Sequence, residues 1–306
     1  MVDNGTLNGI VAALTTPLLP DGSLDVEGLK RLVDYQIEGG VHSVFPLGTT
    51  GEVSYITREQ RVAIAATVVD HVAGRVPVLV GAIELSAARA IVEARAIAET
   101  RPDYIVVTPP VYGDGTDAEV VEHFTSIAAA IDVPIVAYDI PFKTHRKLTP
   151  GIVRRLISEG TIAGLKDSSG DFRQFRTVVT EFADSGVALL TGTEHMVDAA
   201  VMMGASGAVL GLANIAPRDF VEIYDAARAG DWSRARAAQE RMVRLVAIMD
   251  VGVGYGLSFD SSIFGALKHV QASDGIIASS RISSGTELPD AAKSRIDDIV
   301  RSVRAE

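Results

Sequence analysis

Cysteine is absent from this chain, so neither a disulfide framework nor thiolate chemistry is open to it; the absence fits a reducing interior. Positive charge is scarce: 28 Lys and Arg stand against 39 Asp and Glu, a net charge of −11. That balance argues against a nucleic-acid surface, which needs clustered cations to meet phosphates. It still permits an anionic small substrate, because one cation in a pocket outweighs a distant acidic exterior. No run reaches the roughly 18 apolar residues of a membrane span. The first five residues carry neither a basic segment nor a long apolar one, so no signal peptide is read there. A soluble cytoplasmic enzyme with no nucleic-acid or membrane partner is the expectation. The six histidines are scattered without ligand spacing, Glu194-His195 being the one adjacent pair, so neither a metal nor any other cofactor is expected.

What the chain does have is apolar residues (47%) gathered into eight short runs, at 9–16, 43–48, 76–83, 104–109, 134–140, 162–167, 187–193 and 207–213. Continuous apolar runs of this length read as strands buried on both faces, the mark of a parallel sheet. Helical patterns separate most of them. Leu29, Leu32, Val33 and Ile37 share a helical face that Gly39-Gly40 terminates. Thr57 with Gln60 and Thr116 with Glu119 form capping boxes, and Thr149-Pro150 supplies a cap followed by proline at the first helical position. One unbroken alternation of eight β–α units suits a closed α/β barrel, the (β/α)8 TIM barrel, better than an open sheet. An open sheet would be expected to carry a glycine fingerprint in its first turn, and residues 13–22 have none. The barrel is expected over residues 1–230, with an appended C-terminal helical region over 231–306 and a hinge or turn at 252–256.

In such barrels the chemistry sits at the C-terminal ends of the strands. Those ends offer Thr15-Thr16, Gly48-Thr49-Thr50-Gly51-Glu52, Thr108-Pro109-Pro110-Val111-Tyr112, Tyr138-Asp139-Ile140-Pro141, Lys166-Asp167-Ser168, Thr191-Gly192-Thr193-Glu194 and Gly211. Lysine is rare, with six in the chain, and Lys166 closes an apolar run. An ammonium at that position is costly unless it loses its charge or bonds covalently to a substrate. A snorkelling lysine, or one paired with Asp167, is the blander alternative. The two glycines of the 48–52 turn let the backbone bend tightly and leave amides free, while Thr49 and Thr50 can hold a carboxylate. Tyr138 is either a core aromatic or a phenol facing the amine. The glycines at 204, 207 and 211 admit a phosphate loop or close packing of strand on helix.

Gly48-Thr49-Thr50-Gly51-Glu52, Tyr138-Asp139-Ile140-Pro141 and Gly164-Leu165-Lys166-Asp167-Ser168, in this order and spacing, resemble the dihydrodipicolinate synthase / N-acetylneuraminate lyase family of pyruvate-dependent class I aldolases. The resemblance spans nearly the whole chain and implies a metal-independent lyase on a TIM barrel, acting on a small 2-oxo acid. It implies that Lys166 forms the Schiff base, that Tyr138 shuttles protons and that Thr49 belongs to that relay. It further implies that Thr50, with neighbouring amides such as that of Gly51, grips the substrate carboxylate, and that the Val209 carbonyl faces the site. A homo-oligomer, dimer or tetramer, is implied too, with Tyr112 near a subunit contact. The chemistry of these residues agrees: an imine at a 2-oxo acid is an electron sink, needing only a positioned acid/base.

Three positions depart from the family pattern. Lys143 stands where dihydrodipicolinate synthases typically have arginine, giving charge without a bidentate fork. Val111 falls at the relay tyrosine of the neighbouring subunit, with Tyr112 one residue away. Glu194-His195 replaces the Asp-Glu usual in sialic-acid lyases. A lyase or hydro-lyase acting on another 2-oxo acid, such as a deoxy sugar acid, fits these departures. Condensation of pyruvate with aspartate semialdehyde is the alternative within the family; a non-catalytic metabolite-binding barrel and a phosphate-binding isomerase are alternatives from other classes.

Overall fold

The computed structural model describes residues 7–113 and 115–305; the N-terminal stretch read for a leader lies outside them. Eight parallel strands alternate with helices: β1 (Gly9–Ala13), α1 (Val26–Glu38), β2 (Ser43–Phe45), α2 (Arg58–Val72), β3 (Leu79–Gly81), α3 (Ala87–Ala98), β4 (Tyr104–Val107) and α4 (Asp117–Ala128). The second half continues with β5 (Ile135–Asp139), α5 (Pro141–Thr144), α6 (Pro150–Ser158), β6 (Gly164–Asp167), α7 (Phe172–Phe182), β7 (Ala188–Thr191), α8 (Val197–Met202), β8 (Gly207–Leu210) and α9 (Pro217–Arg228). Helices α10 (Trp232–Val246), α11 (Phe259–Ser273) and α12 (Asp290–Arg304) follow.

Strands pair in the order β2-β1-β8-β7-β6-β5-β4-β3. The circle closes between β2 and β3 through a parallel bridge of Val44 with Val78 and a bond from the Gly81 amide to Pro46 O at 3.2 Å. The strands are shorter than the apolar runs that announce them, and β2 shows why. Pro46 has no amide to donate to a ladder, and Leu47 adopts φ 61°, so the chain leaves the sheet before Gly48. The capping signals take their expected places: Thr57–Gln60 and Thr116–Glu119 are reciprocal boxes, and Thr149 caps α6 ahead of Pro150. The 252–256 segment has its turn at its last residue, Gly256, φ 86°, while the residues before it complete a 3₁₀ helix over Ala247–Tyr255.

Side-chain alternation along each strand sorts the apolar residues into two clusters. Val11, Ala13, Phe45, Leu79, Val106, Val136, Tyr138, Ala188, Leu190 and Val209 fill the barrel interior. Their sequence neighbours Ile10, Ala12, Val44, Val80, Ile105, Ala137, Leu165, Leu189 and Ala208 face the helices, in a cluster that runs on through Leu267 to Val303. The C-terminal helices therefore share the outer core of the barrel. Glycines let β1 and β8 approach: a Cβ on Gly207 would lie 2.0 Å from Gly9 O. Close packing thus accounts for this glycine.

Gly207→Ala must spread β1 from β8, so we expect a loss of about 1–3 kcal/mol in a denaturant melt. An unchanged midpoint would contradict so close a strand approach.

Candidate active site

Tyr138, Lys166 and Leu190 are direct neighbours across β5, β6 and β7, all on the interior face. Lys166 is 5% exposed, its Nζ 4.0 Å from the Tyr138 ring centroid and 5.2 Å from that of Phe45. Among the described residues no carboxylate lies within ion-pair distance of this amine; Asp167 points to the other side and pairs with Lys147 at 3.3 Å. The π faces of the two rings supply its nearest favourable electrostatics. The Tyr138 hydroxyl meets Thr49 Oγ1 at 3.4 Å, joining the phenol to the loop after β2. Room for the amine comes from Gly192 at the end of β7. A Cβ there would lie 3.1 Å from Lys166 Cε and 1.9 Å from Ser168 Oγ.

The Gly48–Glu52 turn is tight. A Cβ on Gly51 would lie 2.9 Å from Leu47 N, and Gly51 O accepts a bond from Thr16 Oγ1 at 2.7 Å. Thr50 reaches toward β8, its Oγ1 lying 3.0 Å from where a Gly211 Cβ would be. Glu194 comes to the same place from the β7 side, accepting from the Gly211 amide at 3.1 Å. Glu52, at φ 58°, ends the turn as a fully buried carboxylate ion-paired with Lys268 of α11, itself 0% exposed. Lys268 also donates to Arg281 O at 2.9 Å, and Glu52 Oε2 accepts from the Ser283 amide at 2.5 Å. Burial pulls the Lys268 pKa down while the Glu52 charge resists.

A cleft beside this turn is lined by Thr49, Thr108, Val111, Ile140, Lys143, Asp260 and Phe264, among others. Lys143 is bound in an ion pair to Asp260, so its charge is already matched within the cleft. The buried Thr108 hydroxyl has no hydrogen-bond partner among the described residues, although His123 Nε2 donates to Thr108 O at 3.0 Å. Val111 lines the cleft while Tyr112 projects outward, 91% exposed. The Val209 side chain lies within the barrel interior. The structure thus brings Lys166, Tyr138 and Thr49 together, sets Thr50, Gly51 and Glu194 around the mouths of β2, β7 and β8, and holds Tyr112 apart.

Sequence reasoning missed the orphan hydroxyl of Thr108, the partner Asp260 and a group behind the site. Asp139 and Asp167, adjacent in the β5–β6 register, are both buried and share Lys147. Burial first, then the Asp167 charge, pushes the Asp139 carboxyl up to about 6, against the opposing pull of Lys147. The dipeptides Tyr138-Asp139 and Lys166-Asp167 at the ends of successive strands were the available signal.

The fold and the amine at its mouth define a class, the (β/α)8 barrels that present a lysine inside the strand ring. Comparison narrows the class. The profile of the Dihydrodipicolinate synthetase family matches residues 6–255, and the chain belongs to that family, a family of lyases and aldolases. It is 34% identical over 263 residues to an uncharacterized DapA-like lyase of Thermofilum pendens, covering 85% of this chain and 86% of that protein. To the 4-hydroxy-tetrahydrodipicolinate synthase of Methylibium petroleiphilum it is 36% identical over 227 residues, covering 74% and 77%. A dihydrodipicolinic acid synthase family prophage protein from E. coli K12, solved in complex with pyruvate, superposes with a TM-score of 0.90 at 26% identity, covering 97% of this chain and 99% of that one. The dihydrodipicolinate synthase of Bacteroides thetaiotaomicron does so with TM-score 0.90 at 30% identity, covering 97% and 98%. No helix among the described residues is long and apolar enough to cross a membrane.

An acid whose pKa is raised by folding binds its proton more tightly in the native state, so its contribution to stability falls as pH rises through the interval between the two pKa values. For Asp139 that interval runs from the ordinary aspartate value of 3.8 to about 6. Asp139→Asn should therefore reduce the fall in unfolding free energy between about pH 4.5 and 8 by roughly 2 kcal/mol, read from denaturant melts at both pH values. Identical pH dependence in the two proteins would exclude a raised Asp139.

Proposed function

We propose that this protein is a metal-independent lyase that forms a Schiff base between Lys166 and the C2 carbonyl of pyruvate or a related 2-oxo acid, including sugar acids. One observation carries the reading: a buried amine without a carboxylate partner among the described residues stands 4.0 Å from the ring centroid of a phenol whose hydroxyl meets a threonine. Such an amine has no ion pair to break before it attacks a carbonyl. Nitrogen adds to C2, the oxygen takes a proton to give a carbinolamine, and water leaves to give the imine. Loss of a proton from C3 then yields an enamine, which attacks an aldehyde; the reverse sequence cleaves a carbon–carbon bond. Tyr138 supplies and recovers these protons, with Thr49 beside its hydroxyl. Thr50 and the amides of its turn receive the substrate carboxylate. The pyruvate complex of the E. coli relative supports the same choice of substrate.

A second reading has its own support. Curated relatives 31–36% identical to this chain are 4-hydroxy-tetrahydrodipicolinate synthases, which favours pyruvate condensing with aspartate semialdehyde. The Lys143–Asp260 pair weighs against it, because a second carboxylate entering the cleft meets a cation already neutralised. We further propose that the enzyme works in the cytoplasm as a homo-oligomer, with Tyr112 at a contact between copies.

Incubation with pyruvate and borohydride, followed by peptide mass mapping, should find the reduced adduct on Lys166. An adduct elsewhere, or none, overturns the proposal. Lys166→Ala should be inactive, and Tyr138→Phe should lower turnover by about 10²–10⁴-fold. Feeding aspartate semialdehyde with pyruvate and identifying the product separates the two readings.

A further inference from the structure

Behind the amine and the phenol lies the aspartate pair that the proposed chemistry does not use. Asp139 follows Tyr138 and Asp167 follows Lys166, and each pair is matched across β5 and β6. Alternation sends the aspartates to the face away from the barrel interior. Lys147, from the segment between α5 and α6, donates to Asp139 Oδ2 and lies 3.3 Å from Asp167 Oδ2. The other carboxylate oxygens are also engaged: Asp139 Oδ1 accepts from the Leu148 amide at 3.1 Å, and Asp167 Oδ1 accepts from Ser169 N at 2.8 Å and Ser169 Oγ at 2.6 Å. From α7, the neutral Gln174 donates to Leu148 O at 3.0 Å. The charged groups facing Asp139 are therefore Asp167 and Lys147, two carboxylates on one ammonium.

These are the last ladder residues of both strands. Past them the backbone is tied by the Ser168 amide to Asp139 O at 2.9 Å and the Gly192 amide to Asp167 O at 2.7 Å. A strand end held by so few bonds needs side chains to fix its spacing. We propose that Lys147 is a positioning residue, which by drawing Asp139 and Asp167 onto one ammonium holds the ends of β5 and β6 at the spacing that sets Tyr138 against Lys166. The role rests on the reading of Lys166 as the Schiff-base amine. Protonation of Asp139 removes one arm of the bridge, so the clamp loosens as pH falls through about 6, the value to which burial and Asp167 raise that carboxyl.

The test uses Lys147→Met, Lys147→Arg and Asp139→Asn, with pyruvate trapping, steady-state rates and pH profiles for each. Misplacement of reacting groups by about 1 Å costs on the order of 10²-fold in rate. Lys147→Met should accordingly lose about 10²-fold in kcat, with KM for pyruvate within about three-fold of the parent. Its acid limb near pH 6 should disappear, because without the ammonium the protonation of Asp139 has no bridge left to release. Lys147→Arg should recover most of the rate. Asp139→Asn, nearly isosteric, should lose the acid limb near pH 6 and decides the matter even if Lys147→Met folds poorly. Parental turnover and acid limb in Lys147→Met, or an intact limb in Asp139→Asn, overturns the positioning role. Failure of the parent itself to trap pyruvate on Lys166 would instead sink the Schiff-base reading and this role with it.

Discussion

A residue in a strand must point away from the side its neighbours take, and at the ends of β5 and β6 this constraint organises the site. Because Tyr138 and Lys166 are register partners, both turn inward together, and an amine comes to rest against a phenol ring in a nearly closed space. The same constraint turns Asp139 and Asp167 outward, where they gather a lysine of their own. Slipping β6 by one residue would exchange Lys166 with Asp167, leaving a carboxylate inside and the amine among the helices. The chemistry and its scaffold are thus two faces of one ladder.

Much of the architecture was legible because parallel strands buried on both faces are mostly apolar, so the sequence advertises them as apolar runs broken chiefly at their ends. Caps such as Thr57–Gln60 are equally local signals. Strand ends were less legible. Where β2 stops depends on Leu47 taking a left-handed conformation, which nothing in a leucine announces. The 252–256 stretch read as a hinge or turn from its glycines; the chain turns at the last of them, Gly256, after winding on through Tyr255.

For the site, the meeting of Lys166, Tyr138 and Thr49 could be anticipated, since barrel geometry brings strand ends together wherever they lie in sequence. The residues around them could not. Lys143 gives no hint that Asp260 neutralises it, and Lys147 shows nothing of a link to two strands until the α5–α6 segment folds back. Thr108 looked like one polar strand end among many; its lack of a hydroxyl partner among the described residues is a property of its surroundings. Tyr112 is a solvent-facing side chain in a single protomer.

Glu52 and Lys268 join the turn after the second strand to a helix near the far end of the chain, with neither side chain reaching water. A buried carboxylate deprived of its counter-ion is strongly destabilising. On an elongating polypeptide the barrel strands emerge well before α11 does, and until that helix arrives the turn lacks the lysine that neutralises it. The turn therefore completes late: a nascent chain can bring its strands together before the buried charge of Glu52 is matched, and that match waits for the last helices to dock.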